Sequence, residues 1–380
     1  MDFDLAEEQV ALADMARDFA DAEIAPHAID WDAQKHFPVE LLRKAGQLGM
    51  GGIYVNEAHG GSGLGRLEAA LIIEALANGC PTIAAYISIH NMVAWMIDRF
   101  GNEDQRFRWL PQITSFQWLS SYCLTEPSAG SDAAALRTRA RRESDCYILD
   151  GQKQFISGAG SSEIYLVMAR SGGDGPDGIS AFIVPRDSPG ISFGSNERKM
   201  GWNAQPTRTV AFEGVKVPAS NLLGKEGEGF RIAMAGLDGG RLNIAAAALG
   251  GAQVAFDKTV AYMRERRAFG QSLTEFQSLQ FDLADMATDL ELSRTFLWRA
   301  AVALDEKRTD ATKLCAMAKR TVTDLSFNVA NRALQLHGGY GYLSEYGIEK
   351  IVRDLRVHQI LEGTNEIMRL IVARSIVGRH

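Results

Sequence analysis

The sequence has few cysteines, and no two of them stand at a motif spacing. Its four cysteines, Cys80, Cys123, Cys146 and Cys315, lie far apart among 380 residues, and none forms a C-x-x-C pair. This distribution indicates neither a disulfide framework nor a zinc site, and it fits a reducing compartment. We therefore predict no metal centre.

Strong charge and long apolar runs are lacking as well. The net charge is -7, the isoelectric point is near 5.6, and like charges never form a long run. The chain therefore has no basic signal for nucleic acid or for an anionic membrane, and no apolar run reaches the length of a membrane span. Residues 1–5 are acidic, carry no basic or Arg-rich targeting pattern, and are expected to enter a helix directly.

Proline is absent after Pro218, which divides the chain into blocks. Because proline breaks helix interiors, residues 219–380 are free to form long helices. The first block, to about residue 118, also predicts helices, since Leu12, Met15 and Phe19 recur at helical spacing. The glycine-rich segment 59–65 lacks a preceding strand and a Gly-Lys-Ser/Thr ending, so we interpret it as a loop between helices.

The middle block changes to short β-rich runs separated by turn signals. These runs are residues 147–149, 164–168, 179–184 and 209–212, and they predict a small antiparallel barrel or sandwich.

In the third block, large apolar residues return at helical spacing and predict an antiparallel helix bundle; they are Leu279, Leu283, Met286, Leu290 and Leu297. The predicted fold is α+β and mostly helical. It has a helical domain over 1–119, a β domain over 120–225 and a four-helix bundle over 226–380.

The order of the blocks contains no alternating βαβ pattern. It therefore disfavours a Rossmann fold and a nicotinamide-dependent dehydrogenase.

Glu362 is the first candidate catalytic residue. It follows two large aliphatic residues, Ile360 and Leu361, and precedes Gly363 and a helix N-cap at Thr364. Burial in such surroundings raises a carboxyl pKa above its free value of about 4.3, as a general base requires. For an isolated Glu-Gly-Thr-Asn segment, a surface acid before a capped helix is the better interpretation. The motifs upstream decide between the two.

Four further segments occur in a fixed order ahead of Glu362. They are Tyr-Cys-Leu-Thr-Glu-Pro-Ser-Ala-Gly-Ser-Asp at 122–132, Gly-Gln-Lys-Gln-Phe-Ile-Ser at 151–157, Arg-Arg-Ala-Phe-Gly at 266–270 and Gln-Leu-His-Gly-Gly-Tyr-Gly at 335–341. With them, essentially the whole chain resembles the acyl-CoA dehydrogenase flavoproteins. The resemblance implies FAD as cofactor, an acyl-CoA thioester as substrate, electron transfer flavoprotein as acceptor, and a homotetramer. It also implies a bacterial cytoplasmic or a processed mitochondrial matrix protein.

The resemblance assigns FAD contacts along the chain. The N–H groups of Gly130 and Ser131 can approach a phosphate or ring edge, and the hydroxyls of Thr125 and Ser157 can hydrogen-bond the flavin rim. The residues implied at the ring are Tyr122, Leu124, Thr125, Gly130, Ser131, Phe155, Ile156 and Ser157, with Thr364, Asn365 and Glu366 after the base. Those implied at the FAD of a neighbouring subunit are Arg266, Phe269, Phe276, Gln277, Gln335, Leu336, His337, Gly338 and Gly339. Without the resemblance, a turn between a helix and a strand and a solvated arginine would explain these residues.

The substrate side resembles the family at Asp238-Gly239-Gly240-Arg241. The resemblance implies that Arg241 binds the CoA moiety, with further contacts from the residues Ser131, Asp238, Gly239, Gly240, Gly363 and Arg374. A glycine kink in an amphipathic helix is the alternative for Gly239. Some family members carry the base at the position of Gly240, which has no side chain here, so Glu362 is the single candidate.

The implied reaction is α,β-dehydrogenation of a thioester. Glu362 would take the α-proton while the β-hydrogen leaves as hydride to flavin N5, and hydrogen bonds from the flavin ribityl group and from the Glu362 backbone N–H would stabilise the enolate. Segments 155–160, 201–208 and 357–362 resemble members that act on isobutyryl-CoA in valine breakdown, with 2-methylbutyryl-CoA or butyryl-CoA as alternatives. We expect Gly239 and Gly240 to widen the pocket for the branch.

Two other classes share this fold. A flavin oxidase or monooxygenase would lose or replace Glu362, and a non-catalytic acyl-CoA-binding protein would lose flavin contacts such as Thr125, Ser131, Ser157 and Arg266. The presence of these residues disfavours both classes.

Overall fold

The structure is a computed structural model that describes residues 4–378. The first part is helical, as predicted, and comprises α1 (Glu7–Phe19), α2 (Ala28–Gln34), α3 (Val39–Gln47), α4 (Arg66–Gly79), α5 (Pro81–Phe100) and α6 (Glu103–Thr114). The expected direct helical start is wrong for Asp4 and Leu5, since α1 begins at Glu7, and for residues 1–3 it lies outside the described part. Segment 59–65 is the predicted loop apart from one 3₁₀ turn that ends at His59.

Helix α5 is the apolar centre of the first part. Pro81 occupies its first position, where a helix needs no N–H donor. Most side chains along the helix are buried, so it contacts neighbours on nearly all sides. It packs against α4, α6, β1 and the long helix α7 (Gly229–Glu265), and this contact joins the first part of the chain to the last.

The middle part forms one eight-stranded sheet. Its strands are β1 (Ser120–Cys123), β2 (Arg139–Glu143), β3 (Cys146–Ser157), β4 (Ile164–Arg170), β5 (Ile179–Pro185), β6 (Ile191–Phe193), β7 (Thr207–Pro218) and β8 (Leu222–Leu223). The order is β6-β7-β3-β2-β4-β5-β8, and β1 pairs with β4. The four predicted runs fall in β3, β4, β5 and β7.

The sheet is mostly antiparallel, as predicted, but it also contains two parallel pairs that the prediction did not include. Strands β1 and β2 both pair in parallel with β4. The chain between β1 and β4 is long enough for the crossover that a parallel pair needs. Strand β2 was missed because its residues are almost all charged and exposed, and β1 because Ser-Ser-Tyr-Cys carries little β signal.

Strands β4 and β5 are buried on both faces, which explains their continuous apolar sequences. Leu166 and Met168 of β4 pack with residues of α5, α6 and α7, whereas Tyr165 and Val167 pack with β3 and β7. The sheet therefore contributes one face to the helices that carry the candidate site.

The last part is the predicted helical bundle. It consists of α7, two short strands β9 (Arg267–Ala268) and β10 (Gln271–Ser272), then α8 (Gln277–Asp305), α9 (Ala311–His337), α10 (Ile348–Arg356) and α11 (Asn365–Val377). On α8 the predicted stripe faces the core, with Met286, Leu290 and Leu297 buried. Helices α10 and α11 pack on α9. Within residues 4–378 no helix is both long enough and apolar enough to cross a bilayer.

Candidate active site

Glu362 lies in a tight turn between α10 and α11. Its φ is 53° and that of Gly363 is 89°, so two successive residues adopt the left-handed conformation. For a residue with a side chain this conformation costs about 1 kcal/mol or more. Thr364 caps α11 as predicted, because its hydroxyl accepts a hydrogen bond from the N–H of Ile367 at 3.3 Å. The turn therefore aims the Glu362 side chain inward, away from α11.

The Glu362 carboxylate is shielded from solvent although the residue as a whole is half-buried. Neither carboxylate oxygen has a hydrogen-bond partner among the described residues. Burial raises the carboxyl pKa to about 7, against the opposing charges of Arg241 and Lys319. A carboxyl that titrates near neutrality without a fixed partner can accept a proton from a bound molecule.

Asp238 and Arg241 of α7 lie beside the base. The Arg241 guanidinium is buried, forms an ion pair with Asp238 at 2.6 Å, and donates a long hydrogen bond of 3.4 Å to the backbone carbonyl of Glu362. Asp238 also accepts a hydrogen bond from Thr312 at 2.6 Å. The structure thus brings Asp238, Arg241 and Glu362 together, whereas Arg374 lies on an exposed side of α11.

The expectation that Gly239 and Gly240 widen the acyl pocket is wrong. A Cβ atom at Gly240 would lie only 2.9 Å from the carboxylate carbon of Glu362. At Gly239 it would lie 2.6 Å from Cζ of Arg66. The space that these glycines leave is therefore filled by two side chains of the protein.

Arg66 is a buried cation that the sequence did not suggest. Its guanidinium stacks 3.7 Å from the ring centroid of Tyr54 and 4.8 Å from that of Trp95. Nη1 has no hydrogen-bond partner, and no carboxylate lies within ion-pair distance in residues 4–378. Asn243 of α7 donates to the Tyr54 hydroxyl at 3.1 Å. Burial raises the pKa of Tyr54, while the charges of Arg66 and Glu362 act on it in opposite directions, so this cluster borders the base.

The residues predicted for the flavin ring present free polar groups. The Tyr122 hydroxyl is buried without a partner in the described chain, and burial, reinforced by the Glu362 charge, raises its pKa. Ser157 Oγ accepts from Gln205 at 3.2 Å, which leaves its own proton to donate. A side chain added at Gly130 would meet open space, and Ser131 beside it is exposed.

Other predicted ring contacts are directed elsewhere. The side chains of Leu124 and Ile156 are buried, so only their backbones could reach a ligand edge. Asn365 commits its amide to α9, where it meets Lys319, Thr323 and Asp324. Glu366 and Phe155 are exposed, and Phe155 has a left-handed φ of 59°.

A buried ion pair holds the loop that follows β1. Lys153 Nζ donates to the carbonyl of Leu124 at 3.0 Å and to Glu126 at 2.8 Å. Glu126 in turn accepts from the backbone N–H groups of Arg137 at 2.6 Å and Thr138 at 2.9 Å. The segment that contains Thr125, Gly130 and Ser131 is therefore tied at both ends.

Six of the nine residues predicted for the far half of FAD line one pocket of about 550 Å³. Arg266, Gln335, Leu336, His337, Gly338 and Gly339 share its wall with Tyr262 and Tyr340. Added side chains at Gly338 and Gly339 would meet open space, and Arg266 forms no ion pair within the described chain. Its guanidinium lies 5.3 Å from the Tyr340 ring. A free guanidinium beside aromatic rings and bare backbone suits a phosphate joined to a planar base.

Phe269, Phe276 and Gln277 lie near this pocket. The rings of Phe269 and Phe276 meet edge to face at 6.3 Å, and Phe269 is 97% exposed. Gln277 is the exposed first residue of α8.

Sequence reasoning also missed Lys319 of α9. Its Nζ donates to the Gly363 carbonyl at 2.8 Å and to Asn365 Oδ1 at 2.9 Å, and the residue is wholly buried. One signal could have revealed it. Lys319 falls on the helix stripe of Cys315, Val322 and Ser326, all of which are buried, and a lysine in such a stripe is rarely a surface residue.

Comparisons with known proteins cover almost the whole chain. Family models described as acyl-CoA dehydrogenase N-terminal, middle and C-terminal domains match residues 6–117, 121–215 and 227–377. Isobutyryl-CoA dehydrogenase, mitochondrial, of Bos taurus is 52% identical, and the namesake protein of Dictyostelium discoideum is 51% identical. Each alignment covers 98% of this chain and 90% of the relative. The solved butyryl-CoA dehydrogenase of Megasphaera elsdenii has a TM-score of 0.96 at 38% identity, with 99% of this chain and 100% of that chain covered.

Proposed function

This chain belongs to the acyl-CoA dehydrogenase family, and we propose that it dehydrogenates a short branched acyl-CoA thioester, isobutyryl-CoA in preference to others. It is an FAD-dependent oxidoreductase that acts on a CH–CH group. The observation that carries the proposal is the Glu362 carboxylate, shielded from solvent, without a partner in the described chain and with a pKa near 7. 2-Methylbutyryl-CoA and butyryl-CoA are the alternative substrates.

Glu362 is the proposed acceptor of the α-proton. A thioester α-proton is too weakly acidic for a carboxylate in water, so the developing enolate oxygen needs hydrogen-bond donors. The backbone N–H of Glu362 makes no hydrogen bond to any described residue, so it is available as one such donor. Residue 362 thus offers both an acceptor for the proton and a donor for the oxygen.

No second carboxylate competes for this role. Gly240, which faces Glu362, has no side chain, and Asp238 is occupied by Arg241 and Thr312. A general base must have a free lone pair within reach of the proton it takes. Glu362 therefore acts alone.

The residues present fit FAD. When bound there, FAD would supply the acceptor for the β-hydrogen of the substrate, which leaves as hydride. Thr125, Ser131 and Ser157 would hold the ring edge, and Arg266 with Gln335 to Gly339 would hold the pyrophosphate and adenosine. The free Tyr122 hydroxyl, the open space at Gly130 and the Arg266 pocket support this assignment.

The Arg266 pocket is proposed to serve the FAD of a neighbouring subunit in a homotetramer. It shares no lining residue with the group around Glu362. Exposed apolar side chains lie next to the lining residues in the sequence, among them Phe269 at 97% and Tyr342 at 80% exposure. Surfaces of this kind are typical of subunit contacts. Light scattering should give four times the chain mass of 41.5 kDa.

Reoxidation of the enzyme requires an electron acceptor. We propose electron transfer flavoprotein, since no feature of the sequence requires dioxygen. The site of action is proposed to be a bacterial cytoplasm or a mitochondrial matrix, and the pathway the breakdown of valine.

Selection for a short acyl group is proposed to come from Arg66, Tyr54 and Trp95. A buried guanidinium whose Nη1 already lacks a hydrogen-bond partner is a poor neighbour for a long alkyl chain, which offers it no acceptor. One methylene in an apolar pocket changes kcat/KM by roughly 10- to 200-fold. This arrangement replaces the two glycines as the proposed source of selectivity.

A turnover panel of C4 to C8 acyl-CoAs with a dye acceptor tests the proposal. Isobutyryl-CoA should be used best, 2-methylbutyryl-CoA less, and hexanoyl- and octanoyl-CoA least. Arg66→Met should raise the ratio of hexanoyl- to isobutyryl-CoA turnover, while Arg43→Met, at an exposed arginine of α3, should leave it unchanged. Wild-type preference for octanoyl-CoA would contradict the substrate assignment. A colourless, inactive protein would contradict the assignment of the chain as a flavin-dependent dehydrogenase.

A further inference from the structure

Lys319 lies behind the turn that carries Glu362. Its ammonium is wholly buried, and its two hydrogen-bond partners, the Gly363 carbonyl and Asn365 Oδ1, are neutral. No carboxylate lies within ion-pair distance of it in residues 4–378. Keeping an ammonium charged in such surroundings is costly unless other groups compensate. A buried lysine in these surroundings therefore needs a structural or functional explanation.

The charge of Lys319 is coupled to that of Glu362. Burial lowers the pKa of Lys319 to about 8, and the Glu362 carboxylate is the largest influence opposing that shift. Reciprocally, Lys319 lowers the pKa of Glu362, which burial raises to about 7. Between roughly pH 7 and pH 8 both groups are therefore charged, and each favours the charged form of the other.

Lys319 also holds the geometry of the turn. Glu362 and Gly363 are both left-handed, and such a conformation persists only when surrounding contacts impose it. The hydrogen bond from Lys319 to the Gly363 carbonyl fixes the Gly363–Thr364 peptide, one residue beyond Glu362. Its second bond, to Asn365, fixes the first residue of α11, which Thr323 and Asp324 of α9 also hold.

Other charged or titratable groups face Glu362 from each neighbouring element. Those that interact with Glu362 itself are Arg241 of α7, Tyr122 of β1 and Tyr54. Asp324 of α9 and Glu366 of α11 act on Lys319, while Asp238, Arg369 and Arg66 lie beside Arg241, Asp324 and Tyr54 respectively. Two cations in the described part of the chain lower the pKa of Glu362, and Arg241 has the larger effect. Arg241 is paired with Asp238 at 2.6 Å, whereas Lys319 has neutral hydrogen-bond partners only.

We propose that Lys319 is a positioning residue for the base: it fixes the Glu362–Gly363 turn against α9 and supplies the positive charge that keeps the Glu362 carboxylate ionised before substrate binds. This role rests on the proposed dehydrogenation. In this role the ammonium acts through the Gly363–Thr364 peptide and Asn365, and not by contact with substrate or FAD.

Two substitutions separate the charge from the hydrogen bond. Lys319→Met removes both, and Lys319→Gln removes the charge but keeps an N–H donor for the Gly363 carbonyl. Because Lys319 lowers the pKa of Glu362, both variants should shift the acid limb of kcat/KM to higher pH. Lys319→Met should also lower kcat about 10- to 100-fold at high pH, as expected for a displaced base, and Lys319→Gln should recover part of that loss.

Lys313→Met is the matched control, since Lys313 lies on the same helix six residues earlier and does not contact the turn. It should leave kcat and the pH profile unchanged. Flavin absorbance and thermal unfolding establish that each variant is folded and carries FAD. If Lys319→Met does not fold, the pH profile of Lys319→Gln decides.

A folded, FAD-loaded Lys319→Gln with an unmoved acid limb would overturn the electrostatic role, and a Lys319→Met with unchanged kcat would overturn the positioning role. Glu362→Gln, assayed beside them, separates this inference from the proposed function. If Glu362→Gln is inactive while both Lys319 variants behave as wild type, Glu362 remains the base and only the role of Lys319 fails. If Glu362→Gln is active, the proposed function fails first.

Discussion

The carboxylate of Glu362 fills the space that a side chain at position 240 would occupy. A Cβ atom on Gly240 would approach the carboxylate carbon to 2.9 Å, so α7 and the turn before α11 compete for one position. This explains why a base on α7 and a base at residue 362 are alternatives. It also means that the glycine serves the base and not the acyl group.

Gly240→Val should therefore disable the enzyme toward every acyl-CoA. The added branched side chain displaces the Glu362 carboxylate, because the opposing atoms belong to the base itself. We expect kcat/KM for isobutyryl-CoA and butyryl-CoA to fall together by about 10²-fold or more. A loss confined to the branched substrate would restore the view that Gly240 widens the pocket.

Arg266→Ala should weaken FAD binding. On the proposed assignment of Arg266 to the FAD pyrophosphate, the substitution removes charge-assisted hydrogen bonds worth roughly 1.5–3 kcal/mol, or about 10- to 150-fold in Kd. The variant should purify partly colourless, whereas Arg264→Ala, at an exposed arginine outside the pocket, should keep its flavin. Full occupancy of Arg266→Ala after dialysis would mean that Arg266 is merely solvated.

Lys153→Met should destabilise the middle sheet and the loop after β1. It leaves Glu126 buried without its cation, and breaking a buried pair in this way costs about 3–5 kcal/mol. Urea unfolding followed by far-UV circular dichroism measures the loss. The double variant Lys153→Met with Glu126→Gln should recover part of it, since no buried charge remains. Equal stability of the two variants would show that leaving the Glu126 charge unpaired has no measurable cost.

The wild-type pH profile follows from the Glu362 environment. The base must be ionised to accept a proton, and burial raises its pKa to about 7. Activity should therefore be lost as pH falls through about 7 and be full above it. A profile that stays flat down to pH 5 would show that a different group titrates.

The sequence predicted those features of the site that depend on residues close together in the chain. The aliphatic and glycine neighbours of Glu362 indicated burial. The family resemblance, and not the local sequence, singled out residues 335–339, which line the Arg266 pocket. The roles of Gly239 and Gly240 could not be read in this way. Their neighbours, Arg66 and Glu362, come from segments more than 100 residues away in either direction.

The same limit applies to the fold. Strands β4 and β5 could be predicted from their continuous apolar sequences, because both of their faces are buried. Strand β2 could not, although it pairs with the neighbouring strand β3, because its own side chains are mostly charged and face solvent. The buried Lys319 was missed for a related reason: a lysine is read as a surface residue until the helix face is known.

Glu362→Gln tests the central claim most directly. Glutamine nearly keeps the shape of the side chain but cannot accept the α-proton, and Gly240 offers no second base. We predict a folded, yellow protein that binds acyl-CoA normally and loses turnover by more than the roughly 10²- to 10⁴-fold usual for a general base. The measurement is dye reduction with isobutyryl-CoA. Retention of more than about a tenth of wild-type activity would contradict the account, because it lies far above the residual activity expected without a general base.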